Sequence, residues 1–224
     1  MGANLLDGLE GDPPLYALHP LVRQFFSLQC RGWEPEPMRR KELSAAAQGL
    51  AKGCEGEDLP RSVEYWRQAT HADPADIWAA FGLGYGLLPL GDTEGARQAF
   101  EHCRRNAEAA NDPRGVSCAW NGIGDVLVSK GDGAGALAAF QASLAIAEGL
   151  AKRDPANTQW QVDLAISCSK LGTVERLLDV STRRAHLQRG LDILLTLKQS
   201  GRLHANQDFT PWFEAKIQKL NGVP

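Results

Sequence analysis

Apolar positions recur at helical spacing through most of the chain, with small residues between them at fixed places. In "IWAAFGLGYGLLPLGDTEGARQAFEHC", Trp78, Phe81, Leu83, Leu87 and Leu88 mark one helix and Ala96, Ala99, Phe100 and Cys103 mark a second, with "GDTEG" as the turn. Forty residues on the pattern returns without a gap. Gly82, Gly84, Leu87, Gly91 and Asp92 fall on Gly122, Gly124, Leu127, Gly131 and Asp132, and the match runs on through Gly95/Gly135, Ala96/Ala136, Ala99/Ala139 and Phe100/Phe140. Trp120, Ile123 and Leu127 then mark a first helix, and Ala136, Phe140, Leu144 and Ala147 a second. Each Gly-Asp predicts a left-handed helix stop followed by a residue suited to capping the next start. Self-similarity at this period predicts an all-α stack of helix-turn-helix repeats, an α-solenoid.

The small residues have a packing reason. Gly84 and Gly124 sit where the first helix of a unit approaches the second, Ala96 and Ala136 face them, and Phe100 and Phe140 fill the space one turn further along. A large side chain at either glycine should push the helix axes apart. This pattern resembles the tetratricopeptide repeat (TPR): a large residue, Leu-Gly, a small residue twelve positions later, an aromatic four beyond it and a closing proline. Trp120, Ile123, Gly124, Ala136 and Phe140 match it, while Ala80 stands where the family prefers Trp.

Upstream, "RSVEYWRQATHADP" reads as a second helix of the same kind, with Trp66 one 34-residue family period before Phe100; its partner, "RRKELSAAAQGLAKG", lacks Leu-Gly. Downstream, "WQVDLAISCSKLGTVERLL" restores Leu171 and Gly172, but "RRAHLQRGLDILLTLKQS" lacks the small-residue and aromatic pair. The long helices from Gly135 to about Lys152 and from near Gln159, separated by "RDPANT", are similar to those of long-helix TPR arrays in bacterial signalling proteins. In "FTPWFEAKIQKLNG", Thr210 is the expected N-cap, Pro211 the first helical residue and Gly222 the stop, with Phe213, Ile217 and Leu220 on one face. The predicted organisation is an N-terminal segment with one helix over 1–40, three to four repeats over 41–204, and a C-terminal capping helix over 205–224.

Within the first segment, "LYALHPLVRQFFSLQC" resembles the end of the winged-helix region that precedes repeat arrays in bacterial STAND-type NTPases. That resemblance implies a sensor arm whose motor is absent from this chain, since no Gly-Lys-Ser/Thr closes a phosphate loop.

Composition narrows the function. A net charge of -3 speaks against a nucleic-acid partner, which needs a clustered basic surface, and "STRRAHLQRG" reads as a solvated helix face. Five widely spaced cysteines, at 30, 54, 103, 118 and 168, suit buried thiols in a reducing cytoplasm better than a disulfide framework or a zinc site. "MGANLLDGLEGDPP" has acids where a signal peptide needs basic and then apolar residues, and Leu6 stands where myristoylation wants Ser or Thr. The uncharged run Ile77–Gly91 is too short for a bilayer. A soluble, cytoplasmic chain without a membrane partner is expected.

"GLGYG" has the wrong spacing for a dinucleotide fingerprint and no strand before it, so no cofactor is expected. No metal-spaced Cys/His set or nucleophile elbow occurs. Adjacent His102 and Cys103 point about 100° apart on a helix, which leaves a thiol enzyme using Cys103 or Cys118 as the rival reading to a non-enzymatic protein.

The TPR resemblance implies a concave wall built from the first helix of each unit. Its exposed positions map to Trp78, Phe81, Tyr85 and Leu88, then Cys118, Asn121, Asp125 and Val128, then Ile166, Ser169, Thr173 and Arg176. Aromatic anchors beside hydrogen-bonding groups suit a peptide or protein partner. The expected partner-binding residues are Trp78, Phe81, Tyr85, Leu88, Asn121, Asp125, Thr173 and Arg176. Leu21, Phe25, Phe26 and Leu28 are an alternative cover for the aromatic wall. Phe81 and Tyr85 occupy the places where the family's carboxylate clamp needs Lys and Asn, so Asn121 and Lys170 do not make an Hsp70/Hsp90-tail receptor. Oligomeric state is left open by the sequence.

Overall fold

Helix starts along the chain are set by short acidic or amide side chains that accept from otherwise orphaned backbone N–H groups. Asp76 accepts from the N–H groups of Trp78 and Ala79, Asp112 from Arg114, Asp132 from Gly135, Asn157 from Trp160 and Asp179 from Thr182. Stops are equally regular. Gly91 (φ 78°) and Gly131 (φ 77°) take the left-handed conformation. Their N–H groups bond to the carbonyls of Leu88 and Val128, while the N–H groups of Asp92 and Asp132 reach back to Leu87 and Leu127. This is the Schellman closure, and Asn111 (φ 51°) makes it where glycine is absent.

The computed structural model describes residues 37–54, 56–175 and 177–222. They form α1 (Pro37–Cys54), α2 (Leu59–Ala72), α3 (Ile77–Leu87), α4 (Thr93–Ala109), α5 (Pro113–Ser129), α6 (Gly133–Arg153), α7 (Thr158–Thr173), α8 (Val180–Gln199), one short 3-10 turn (Ala205–Gln207) and α9 (Thr210–Leu220). Among the described residues there is no strand. The chain divides into two compact units, one ending at Asp92 and the other starting at Thr93.

In the first unit α2 packs against both α1 and α3. Ala47, Ala69 and Ala79 meet where the three helices approach, and the Trp66 indole lies flat enough on α3 that a Cβ at Gly82 would come within 3.0 Å of its ring. Ser44 and Gln48 of α1 donate to the Asp76 carboxylate at 2.8 and 2.7 Å, which ties α1 to the residue that caps α3.

In the second unit each helix from α4 to α9 packs on the next. The paired glycines of α5 explain the spacing. A Cβ on Gly122 would run into the Phe100 ring of α4, and a Cβ on Gly124 into the Phe140 ring of α6. One helix thus receives an aromatic from each neighbour. Phe140 fills the space at Gly124 itself, not one turn beyond it, so even an alanine Cβ there would meet the ring. The supposedly incomplete α8 keeps the same packing with other residues: Leu187 takes the aromatic's place on Gly172, and Gly190 receives Phe213 from α9.

One boundary differs from expectation. α9 begins at Thr210, and it is Asp208 that accepts from the Thr210 N–H (3.2 Å) and hydroxyl (2.5 Å). Gly222 (φ 72°) follows the helix as expected. α6 is long and apolar enough to cross a membrane by length and composition, but it packs on both α5 and α7 and buries Phe140, Ser143, Ala147 and Leu150, the character of a core helix.

Candidate functional site

Two surfaces carry the predicted binding residues. In the first unit, α3 places Trp78, Phe81 and Tyr85 at helical spacing on one side. Trp78 meets Phe81 edge-on with ring centroids 5.8 Å apart, and Phe81 meets Tyr85 edge-on at 4.9 Å. All three rings and Leu88 are half-buried. Edge-to-face pairs of this kind hold each other's orientation. Leu21, Phe25, Phe26 and Leu28, the alternative cover, lie outside the described residues.

In the second unit, α5 and α7 face each other through a line of polar contacts. Arg114 Nε donates to Asp163 Oδ2 at 2.6 Å, Asn121 Nδ2 donates to Ser167 Oγ at 3.3 Å, and Lys170 Nζ donates to Asp125 Oδ2 at 2.6 Å. The second helix of the pair joins in. Ser117 Oγ donates to the Ser143 carbonyl, and Ser143 Oγ lies 3.1 Å from Ser167 Oγ. Asp163, only 8% exposed, also accepts from Gln159 Nε2 at 2.8 Å, and Gln207 Nε2 in turn donates to Gln159 Oε1. Polar side chains therefore run along this seam from Gln207 to Lys170. Among them, the buried Oδ1 of Asn121 has no hydrogen-bond partner among the described residues.

These contacts change how the predicted positions stand. Asn121, expected to be exposed, is only 5% exposed because Ser167 draws its amide into the α5/α7 contact. Asp125 and Lys170 are engaged with each other. Thr173 is exposed, with its hydroxyl donating to the Lys170 carbonyl. Arg176 lies outside the described residues. The sequence reading missed Arg114, Ser117, Ser143, Asp163 and Ser167. The available signal was the spacing of four within Ser117/Asn121 and Asp163/Ser167, which puts polar groups on faces that helical periodicity assigns to packing.

Cys103, Cys118 and Cys168 are not poised for chemistry. Cys103 is fully buried. Burial, reinforced by the nearby Asp163 carboxylate, pushes the Cys118 thiol up to about 12, and burial pushes Cys168 up to about 11. A nucleophile needs the opposite shift. In the native protein Cys118 should resist alkylation by iodoacetamide at pH 8 and react only after denaturation. Rapid native labelling at Cys118 would contradict this environment. Among the described residues no group of His, Cys, Asp and Glu is arranged to hold a metal ion.

No protein-family model matches the chain, and no curated protein matches it. Among solved structures, BtubC (BKLC) from P. vanneervenii is similar, with a TM-score of 0.63 at 14% identity over 90% of this chain and 80% of that one. A putative kinesin light chain from Podosopora anserina, with nearly identical TPR-like repeats, is similar with a TM-score of 0.52 at 14% identity over 82% of this chain and 88% of that one. The fold is TPR-like. Its class is an all-α solenoid of helix-turn-helix repeats, closed at the C-terminal end by α9. At this identity the likeness is one of fold.

Proposed function

We propose that the chain is a non-enzymatic protein-interaction module that holds a partner peptide or protein on the first helices of its repeats, with residues 41–204 forming the repeats. The observation that carries this reading is the α5/α7 seam. An interior of packed apolar groups would serve stability as well or better than ion pairs and hydroxyl chains, yet this contact carries a line of polar pairs and leaves the Asn121 carbonyl oxygen unmatched among the described residues. Polar groups kept at that expense are suited to orienting a bound chain. The aromatic edge-on triad of α3 offers, in its own unit, the rigid rings that binding hot spots favour. The shifted thiols of Cys118 and Cys168 support the non-enzymatic reading. Free thiols at Cys54, Cys103, Cys118 and Cys168 support a cytoplasmic protein.

The test is partner capture from the native host with wild type, Tyr85→Ala, and the paired change Asp125→Asn with Lys170→Met. Both variants should keep the melting temperature close to wild type and lose binding on the order of 2 kcal/mol or more if they are hot spots. Undiminished capture by both variants would defeat the proposal.

A further inference from the structure

At one end of the second unit, α7, α8 and α9 enclose a cavity of about 250 Å³ that the sequence did not single out. Gly172, Leu187 and Leu220 line it with apolar groups, and Thr173, Glu175, Arg183, Lys216 and Lys219 supply its polar groups. Two parallel helices, α7 and α9, end here, and exposed carbonyls at helix ends attract cations. That demand is already met by others. Arg183 Nε donates to the Gly172 carbonyl at 3.1 Å, and Arg184 Nη2 lies 3.4 Å from the Leu220 carbonyl.

Lys216 and Lys219 remain in surplus. They stand three apart on α9, a spacing at which like charges repel. Neither has an acidic partner among the described residues; the Lys216 ammonium lies 5.5 Å from the centre of the Trp212 ring. The cavity's acid, Glu175, is 72% exposed and sits 3.6 Å from Arg183. Three cations against one carboxylate match a dianion better than a single carboxylate, and a phosphate monoester carries close to two negative charges at neutral pH. Lysines serve such groups as point charges.

We propose that this cavity binds a phosphate monoester, presented as a phosphorylated side chain by a protein partner. The assignment of the source to a protein rests on the interaction-module reading above; the charge complementarity does not. The Lys216 and Lys219 ammoniums neutralise the phosphate oxygens.

The experiment titrates the full chain at low salt with an acetylated, amidated Gly-Gly-phosphoserine-Gly-Gly peptide, its unphosphorylated form and inorganic phosphate, following α9 amide shifts by NMR. The phosphopeptide should bind and move the amides around Lys216 and Lys219, and the unphosphorylated form should not. Lys216→Gln with Lys219→Gln should weaken binding by about tenfold or more at an unchanged melting temperature, whereas Lys152→Gln should leave it unaltered. Affinity should fall as pH drops through about 6, where the phosphate dianion takes up a proton and becomes a monoanion. Binding of inorganic phosphate alone, equal loss in Lys152→Gln, or absence of α9 shifts with every probe would overturn the proposal. Because none of these readouts involves α3 or the α5/α7 seam, their failure would leave the partner-capture test standing.

Discussion

Phe140→Ala should lower stability by about 3 to 5 kcal/mol, the cost of emptying a large buried aromatic site. The ring is 2% exposed and shares a cluster with Ala136, Leu171 and Val174, so its loss opens the contact between α6 and both neighbouring helices. The sharper result comes from pairing it with Gly124. On the wild-type background Gly124→Leu should overpack the α5/α6 crossing and cost about 1 to 3 kcal/mol, and Gly124→Ala should also be destabilising, since even its Cβ would meet the Phe140 ring. On the Phe140→Ala background the same additions enter vacated space. The double-mutant cycle should therefore show coupling, with the second change costing less than it does alone. Chemical denaturation of the four proteins measures this, and strict additivity would mean that the ring does not sit on that glycine.

Phe213→Ala should be of similar size, about 3 to 5 kcal/mol, for a different structural reason. Phe213 is 1% exposed and fills the place that Gly190 leaves on α8, in a cluster with Val162, Leu187, Leu191 and Leu194. It is the fixing point of α9, so its removal should release that helix as well as leave a cavity. Amide hydrogen exchange should show α9 losing protection before α5 and α6 do. Uniform loss of protection across the unit, or a change below about 1 kcal/mol, would contradict its role as the cap's anchor.

What the sequence made legible follows the strength of its signals. Helix starts and stops could be read because Asp or Asn at a start and Gly at a stop answer a local backbone need that neighbours cannot supply. The glycines of the repeat were read as packing positions and not as a phosphate cradle, and the rings at Gly82, Gly122 and Gly124 agree with that reading. The partner of each glycine was harder to assign. Spacing along one helix pair suggests Gly124 and Phe140, but Gly122 is reserved for Phe100 from the preceding helix, a contact that periodicity within a unit does not encode. Leu187 was overlooked for a related reason: a leucine can fill the aromatic's place on Gly172, so the residue type alone hides a preserved geometry.

The candidate site was less visible. Asn121 was selected as an exposed position, but Ser167, 46 residues away in sequence, withdraws it into the α5/α7 contact. Asp163 and Arg114 are 49 residues apart, and nothing local in either stretch announces that they pair. Long-range polar pairing leaves no period, whereas packing does. The cationic cavity escaped for the same reason, because its lysines on α9 and its arginine on α8 come together only when the cap folds back.

Hydrogen–deuterium exchange of the full chain with and without its captured partner shows whether that partner is held on the first helices of the repeats. Binding should protect amides in α3 and along the facing sides of α5 and α7, while α2, α4 and α6 exchange as before. Protection confined to α4 and α6, with α3, α5 and α7 unchanged, would contradict it.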